Sequence, residues 1–389
     1  MPRRAASVTV AGGGSAAFRP VPLFRPVFGS AVLGRVAAVL ASGWVGYGAQ
    51  CEELEQRFIA QRGGWAVATS SCTAALYLAG LLCRGADDDV EAIVPAVTFV
   101  SSAAAFTHAG FRVRIADVER ATLTLTAETA ARCLTPRTRV IVVVHLYGQR
   151  APDLAGLRAL ADRHDVALVE DCAHRIDLDE TGLRLGDLAC FSFNGVKELP
   201  AGEGGLLCGR AAALEARARV LSNVGLVSDT RARVRTALHR NYRFATDGGL
   251  KLRANDVAAA LALGALDDWP QARAARRARC DRYDALLAPF APEVTPLPRA
   301  PGHSGLMYVI RARLRADLRR HLAARRIATA IHYPSLAGHP RYAADADARA
   351  GDAALDAPVL TLPTSLTMMD EVQERVVAAI ATAHARRQR

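Results

Sequence analysis

From about residue 51 to residue 210 the chain alternates between short apolar runs of β type and Ala/Leu-rich stretches of helical spacing. That alternation leaves few architectures open. Strands are predicted at 66–68, 92–95, 113–117, 140–145, 166–170, 189–193 and 205–208, and helices at 73–82, 101–109, 127–133 and 152–164. Runs such as 140–144 are apolar at every position, which suits strands buried on both faces. The predicted class is therefore α/β, with a mostly parallel central sheet flanked by helices. In such sheets ligands gather outside the carboxyl ends of the strands, where the connecting loops meet.

After residue 210 the chain turns helical and rich in Arg and Ala. A long helix is predicted at 255–269, continuing past Pro270 into 272–287. The proline-containing stretch 289–301 reads as a linker. Beyond it a strand is predicted at 306–314, a helix at 315–325, a short strand at 328–332 and a terminal helix at 370–384. That is a small α+β lobe. A chain of 389 residues exceeds one typical core, so a division is expected. It runs as a disordered tail (1–18), a large α/β domain with an N-terminal arm (19–265), and a helical connection with a small C-terminal domain (266–389).

Composition removes several classes. Hydrophobic residues make up 51% and charged residues 22%, which fits a globular chain and not a disordered one. Two stretches, 63–83 and 92–111, carry almost no charge, but Ser, Thr, Gly or Pro interrupt both. They read as strand, turn and helix in a core, not as membrane spans. The first 18 residues are too weakly apolar for a secretory signal, and a cytoplasmic location is expected. The eight cysteines form no C-x-x-C pair and lie mostly in apolar runs, so buried thiols are expected and no metal site. A net charge of +11 invites a nucleic-acid reading. The arginines, however, are spread along helical periods and no nucleic-acid motif accompanies them. They read as solvated helix faces that attract small anions.

Only two lysines occur, Lys197 and Lys251, among 49 Lys and Arg residues. A composition that replaces lysine wherever a plain positive charge suffices leaves lysine where arginine cannot serve. Arginine stays protonated, whereas a desolvated lysine amine can attack a carbonyl. Lys197 lies between an apolar β-type stretch, Phe191-Ser192-Phe193, and a glycine-rich turn, Gly202-Glu203-Gly204-Gly205. It reads as a Schiff-base lysine.

Three further motifs carry chemistry. In Glu170-Asp171-Cys172-Ala173-His174 the aspartate follows a predicted strand, where a carboxylate can keep a pyridine nitrogen protonated; a turn or cap role is the plainer reading. Ser71-Cys72-Thr73 opens a predicted helix, whose free N–H groups and dipole favour an anion; an ordinary N-cap accounts for it equally. Phe99, just past a strand, can cover a flat heterocycle or simply pack in the core.

Taken in order, these segments resemble the DegT/StrS family of sugar aminotransferases, fold-type I enzymes that use pyridoxal 5'-phosphate (PLP). The resemblance spans about residue 22 to the C-terminal helix and includes Ser42-Gly43-Trp44-Val45-Gly46-Tyr47-Gly48, Pro95-Ala96-Val97-Thr98-Phe99, His145-Leu146-Tyr147-Gly148, Ser192-Phe193-Asn194-Gly195-Val196-Lys197 and His332-Tyr333-Pro334. It implies that Lys197 forms the Schiff base and moves a proton, and that Asp171 pairs with the pyridinium nitrogen. It implies that His174 lies near the cofactor's 3-hydroxyl and that Phe99 stacks on the ring. Ser192, Thr73 and the Cys72–Thr73 backbone, with Ser71 capping the helix, would hold the phosphate. Lys251 would reach the partner's phosphate in a homodimer with shared sites, with Asn241 as the alternative occupant. His332 and Tyr333 would contact substrate. Cys72 stands where the family commonly has Gly. Leu306 and Ala337 stand where histidines are common, on the expected substrate side.

The function so implied is transfer of an amino group from glutamate or glutamine to a keto group of a sugar nucleotide or related cyclic polyol. A dehydratase or deaminase using the same lysine, or a non-catalytic PLP-binding regulator, are the alternatives.

Overall fold

The computed structural model describes residues 19–86, 88–176, 185–227, 243–245, 248–347 and 358–385. Two helices, α1 (Ser30–Ser42) and α2 (Ala49–Arg62), precede the alternating region. That region comprises β1 (Trp65–Thr69), α3 (Cys72–Cys83), β2 (Val90–Pro95), α4 (Ser101–His108), β3 (Phe111–Ala116), α5 (Ala127–Ala131), β4 (Thr138–Val144), α6 (Leu154–Arg163), β5 (Ala167–Cys172), β6 (Leu188–Ser192), β7 (Gly205–Gly209) and α7 (Glu215–Leu221).

These strands form one sheet in the order β1-β7-β6-β5-β4-β2-β3. The five strands from β6 to β3 run parallel, and β7 runs antiparallel to both its neighbours. The all-apolar runs have a direct cause. Strand β4 sends Val140, Val142 and Val144 into one core, with Leu76, Leu78 and Phe106 from α3 and α4. Its alternate residues Ile141 and Val143 enter another core, with Leu157 of α6 and Leu168. Both faces are covered, so period-two alternation has no polar half to show.

The remainder contains α8 (Asp256–Asp267), α9 (Trp269–Leu287), β8 (Val294–Pro296), β9 (Tyr308–Ala312), α10 (Arg315–Ala324), β10 (Val359–Leu362) and α11 (Asp370–Ala385). Strands β10, β9 and β8 make a small antiparallel sheet. Tyr283, Tyr308, Leu322, Leu360 and Ile380 fill the core beneath it.

Several expectations are corrected here. Helices α1 and α2 were not predicted, because glycines and charges break their apolar spacing. The expected linker contains β8, whose Pro296 lies at the end of an outer strand, where a missing N–H is tolerated. The expected strand at 328–332 is only a bridge between Ala330 and Thr361. The single long helix expected through Pro270 is two helices, with Pro270 in the first turn of α9, where its missing N–H costs nothing.

Candidate active site

The carboxyl ends of the central strands open onto a cavity of about 410 Å³. Ten of the expected site residues line it: Ser71, Cys72, Thr73, Phe99, Asp171, His174, Ser192, Lys197, His332 and Tyr333. They come from segments more than 250 residues apart in sequence, gathered by the strand ends and by the segment after α10.

Asp171 is the penultimate residue of β5, not the first residue after it as the sequence suggested. It is 3% exposed. Ser102 Oγ donates to its Oδ2 at 2.7 Å, and the Ala173 amide donates to Oδ1 at 3.0 Å. The Cys72 thiol lies 3.9 Å from Oδ1 and donates to the Cys190 carbonyl at 3.5 Å. Thr98 Oγ1 is 2.7 Å from Ser102 Oγ and extends the chain of hydroxyls. Behind Asp171, the His145 amide donates to its carbonyl at 3.0 Å. The His145 ring lies between the Ala151 amide at 3.1 Å on Nδ1 and Glu170 Oε2 at 2.8 Å on Nε2. Nδ1 accepts from an amide, so the proton is on Nε2 and is donated to Glu170. Burial works against the Glu170 charge, yet the His145 bond and the other contacts outweigh it and hold this carboxyl below its ordinary value. His145, Glu170 and Cys172 cluster closely enough to suggest a metal site, but both imidazole nitrogens are committed to these bonds.

Lys197 stands on the connection from β6 to β7. The Gly195 amide donates to the Gly202 carbonyl at 2.9 Å, and the Lys197 amide to the Asn194 carbonyl at 2.9 Å, so the turn is closed on itself. Gly202 has φ +78°, a conformation that glycine adopts without steric cost. Burial pulls the Lys197 ammonium below its ordinary value, and the nearby Asp171 charge opposes that shift in part. A lysine so placed loses its proton more readily and can act as a nucleophile or a base.

At one end of the cavity, α3 begins. Ser71 caps it, its Oγ accepting from the Ala74 amide at 3.1 Å. The first amides of a helix have no partner within the helix, and they bear its positive dipole end. A Cβ on Gly205 would lie 2.4–2.5 Å from the backbone of Ser71 and Cys72, so only glycine lets this helix end sit against β7.

The facing wall is aromatic. Phe99 is 54% exposed, high for a large apolar side chain, and its ring centroid is 5.8 Å from that of Tyr333. The Tyr147 amide donates to His174 Nδ1 at 3.3 Å, which fixes the proton of a neutral imidazole on Nε2. Nε2 lies 3.0 Å from the Tyr333 hydroxyl. Nε2–H is then the donor, and the Tyr333 proton is left to point into the cavity. Burial, then the charges of Lys197 and His332, hold His174 well below the usual histidine range. Burial and Lys197 likewise lower His332 to about 4. Both rings are neutral at neutral pH.

Sequence reading missed Ser102, Thr98 and Tyr147. Thr98 directly precedes Phe99 and lines the cavity with it, whereas Ser102 meets the site through its bonds to Thr98 and Asp171. Tyr147 belongs to a segment already singled out, and its hydroxyl donates to the His332 carbonyl at 2.5 Å. Lys251 does not line this cavity; it is exposed, with Nζ 3.5 Å from Asn223 Oδ1. Asn241 lies outside the described residues. Leu306 and Ala337, expected on the substrate side, do not line the cavity either. Leu306 is buried and lines a neighbouring cavity that Lys197 also walls, and Ala337 packs against the main core.

A model of the DegT/DnrJ/EryC1/StrS aminotransferase family matches residues 28–381. The chain belongs to this family. The aminotransferase TlmJ from Streptoalloteichus hindustanus is similar at 30% identity and TM-score 0.85, over 94% of this chain and 99% of that one. A Streptococcus pneumoniae protein solved in its PMP form is similar at 25% identity and TM-score 0.85, over 94% and 99%. DesI, solved in the presence of its TDP-sugar product, is similar at 28% identity and TM-score 0.82, over 96% and 95%. The protein is a PLP-dependent aminotransferase, and PLP is its cofactor. The lining suits that group: an exposed aromatic ring, Phe99, a buried acid, Asp171, the N-terminus of α3 and a lysine whose charge burial disfavours. Among the described residues no helix is long and apolar enough to cross a membrane.

Proposed function

We propose that this aminotransferase aminates a keto group of a sugar nucleotide or a related cyclic polyol, with glutamate or glutamine as nitrogen donor. The observation that carries it is the placement of Lys197 and Asp171 in one cavity whose far wall offers neutral polar groups, His332 and Tyr333. PLP, when bound, supplies the electron sink for the substrate carbanion. Asp171 holds the proton on the ring nitrogen, and Ser102 and the Ala173 amide keep its carboxylate in place. Lys197 takes the proton from the substrate carbon and returns it. Ser192, Thr73 and the first amides of α3 hold the phosphate, Phe99 covers the ring, and His174 orients Tyr333. The Tyr333 hydroxyl then donates to a substrate oxygen. For a polyol, uncharged donors select hydroxyls without demanding a counter-ion.

The similarity to DesI, and a net charge of +11 that attracts a diphosphate, favour the nucleotide-linked version. Mass spectrometry of products from a panel of keto sugars, nucleotide-linked and free, with nitrogen-labelled glutamate and glutamine tests both parts. One labelled amino product is expected. For a diphosphate substrate KM should rise steeply with salt, since charge is screened over about 8–10 Å at moderate ionic strength. Amination of no keto polyol overturns the substrate class.

We further infer a cytoplasmic homodimer with shared sites. Val224, Leu250 and Phe244, near Lys251, are 40%, 52% and 65% exposed, an apolar surface that a second subunit would cover. Lys251, off its own cavity, would reach the partner's phosphate. Lys251→Ala should then weaken PLP retention, and mixing it with Lys197→Ala should restore part of the activity through hybrid dimers. A fully active monomer by light scattering refutes the arrangement.

A further inference from the structure

Residues 195–198, the turn that carries Lys197, also wall a second cavity, of about 210 Å³. Its other sides are residues 24–27, helices α8 and α9, and the loop 364–366. Since about 10–15 Å³ of such space admits one water, this one has room for a small organic molecule.

Arg276, on α9, lines it. Arg276 is 7% exposed, and its Nη1 makes no hydrogen bond. Glu198, 3% exposed, is the nearest opposing charge, but the two form no hydrogen bond. Glu198 Oε2 instead accepts from the Trp269 indole at 2.7 Å. Burial pushes the Glu198 carboxyl upward and the Arg276 charge opposes that shift, yet Arg276 Nη1 is left buried without an acceptor. Buried charges of this kind are ordinarily paired. The opposite wall is fixed, because Arg279 Nη2 donates to the carbonyls of Leu366 at 3.0 Å and Met368 at 2.9 Å. The other charged lining residues are two basic, Arg25 and Lys197, and two acidic, Glu198 and Asp268, so Arg276 leaves the lining with an excess of positive charge.

We propose that this cavity binds a small carboxylate on the Arg276 guanidinium, at a site separate from the cofactor cavity. The planar fork of arginine matches two carboxylate oxygens. The two cavities share Val196 and Lys197 as wall, so the occupant rests against the turn that bears the lysine.

The test is calorimetric titration of glutarate into PLP-loaded enzyme in which borohydride has first fixed the cofactor to the protein, so that the cofactor can neither leave nor react. One-site binding is expected in the native sequence, weakened at least tenfold in Arg276→Gln. Ala272→Phe, which fills the cavity while keeping Arg276, should weaken it as much. Absence of binding heat in the native sequence overturns the proposal. So does unchanged affinity in Ala272→Phe or in a folded Arg276→Gln.

Discussion

Lys197→Ala will lose turnover by at least about 10⁴-fold, the upper end of what a positioned proton carrier contributes, because the same side chain is also the nucleophile. Lys197→Arg will do no better, since a guanidinium keeps both its charge and its proton. The native enzyme, reduced with borohydride and digested, should carry the pyridoxyl mass on the peptide bearing Lys197. The physical ground is specific. Burial holds this ammonium below its ordinary value, so a larger share is free amine at neutral pH than for an exposed lysine. Asp171 tempers that shift and keeps the group from becoming a purely apolar-buried amine. Modification on Lys251, or substantial turnover in Lys197→Ala, would remove the assignment.

The sequence made most of the large sheet legible. Every strand from β1 to β7 was anticipated: most are buried on both faces and so read as apolar runs, and the edge strand β3 alternates apolar residues with Arg112 and Arg114. That Lys197 and Asp171 share one cavity was legible for a different reason. Lysine is so scarce in this chain that its position is informative, and Asp171 ends an apolar strand as ligand-facing acids do. What stayed hidden depends on partners distant in sequence. Ser102 is an ordinary helix serine until β5 places Asp171 2.7 Å from it. Helix α1 exposes Leu33 and Leu40, and α2 carries charges along most of its length, so neither shows a clean apolar stripe. Strand β10 is four residues long, too short to stand out from its surroundings. Leu306 and Ala337 are a different case. The resemblance put them toward the substrate; neither lines the cavity of Lys197 and Asp171, and Leu306 lines the neighbouring one.

Asp171 gives the second large effect. Asp171→Ala should bind PLP yet lose turnover by about 10²–10⁴-fold, because the ring nitrogen loses the carboxylate that keeps it protonated and the electron sink weakens. The alanine variant carries a second defect. Ser102 Oγ and the Ala173 amide would lose their acceptor in a site where Asp171 was 3% exposed. Each buried donor left unmade costs about 1–3 kcal/mol, so the variant should also unfold at lower denaturant. Asp171→Asn separates the two effects. Its amide oxygen can still accept from Ser102 or Ala173, so stability should return most of the way. Its neutral side chain cannot stabilise a pyridinium, so turnover should remain near that of the alanine variant. Recovery of turnover together with stability in Asp171→Asn would mean that the carboxylate serves only to hold α4 and β5 together, and the electronic role would be withdrawn.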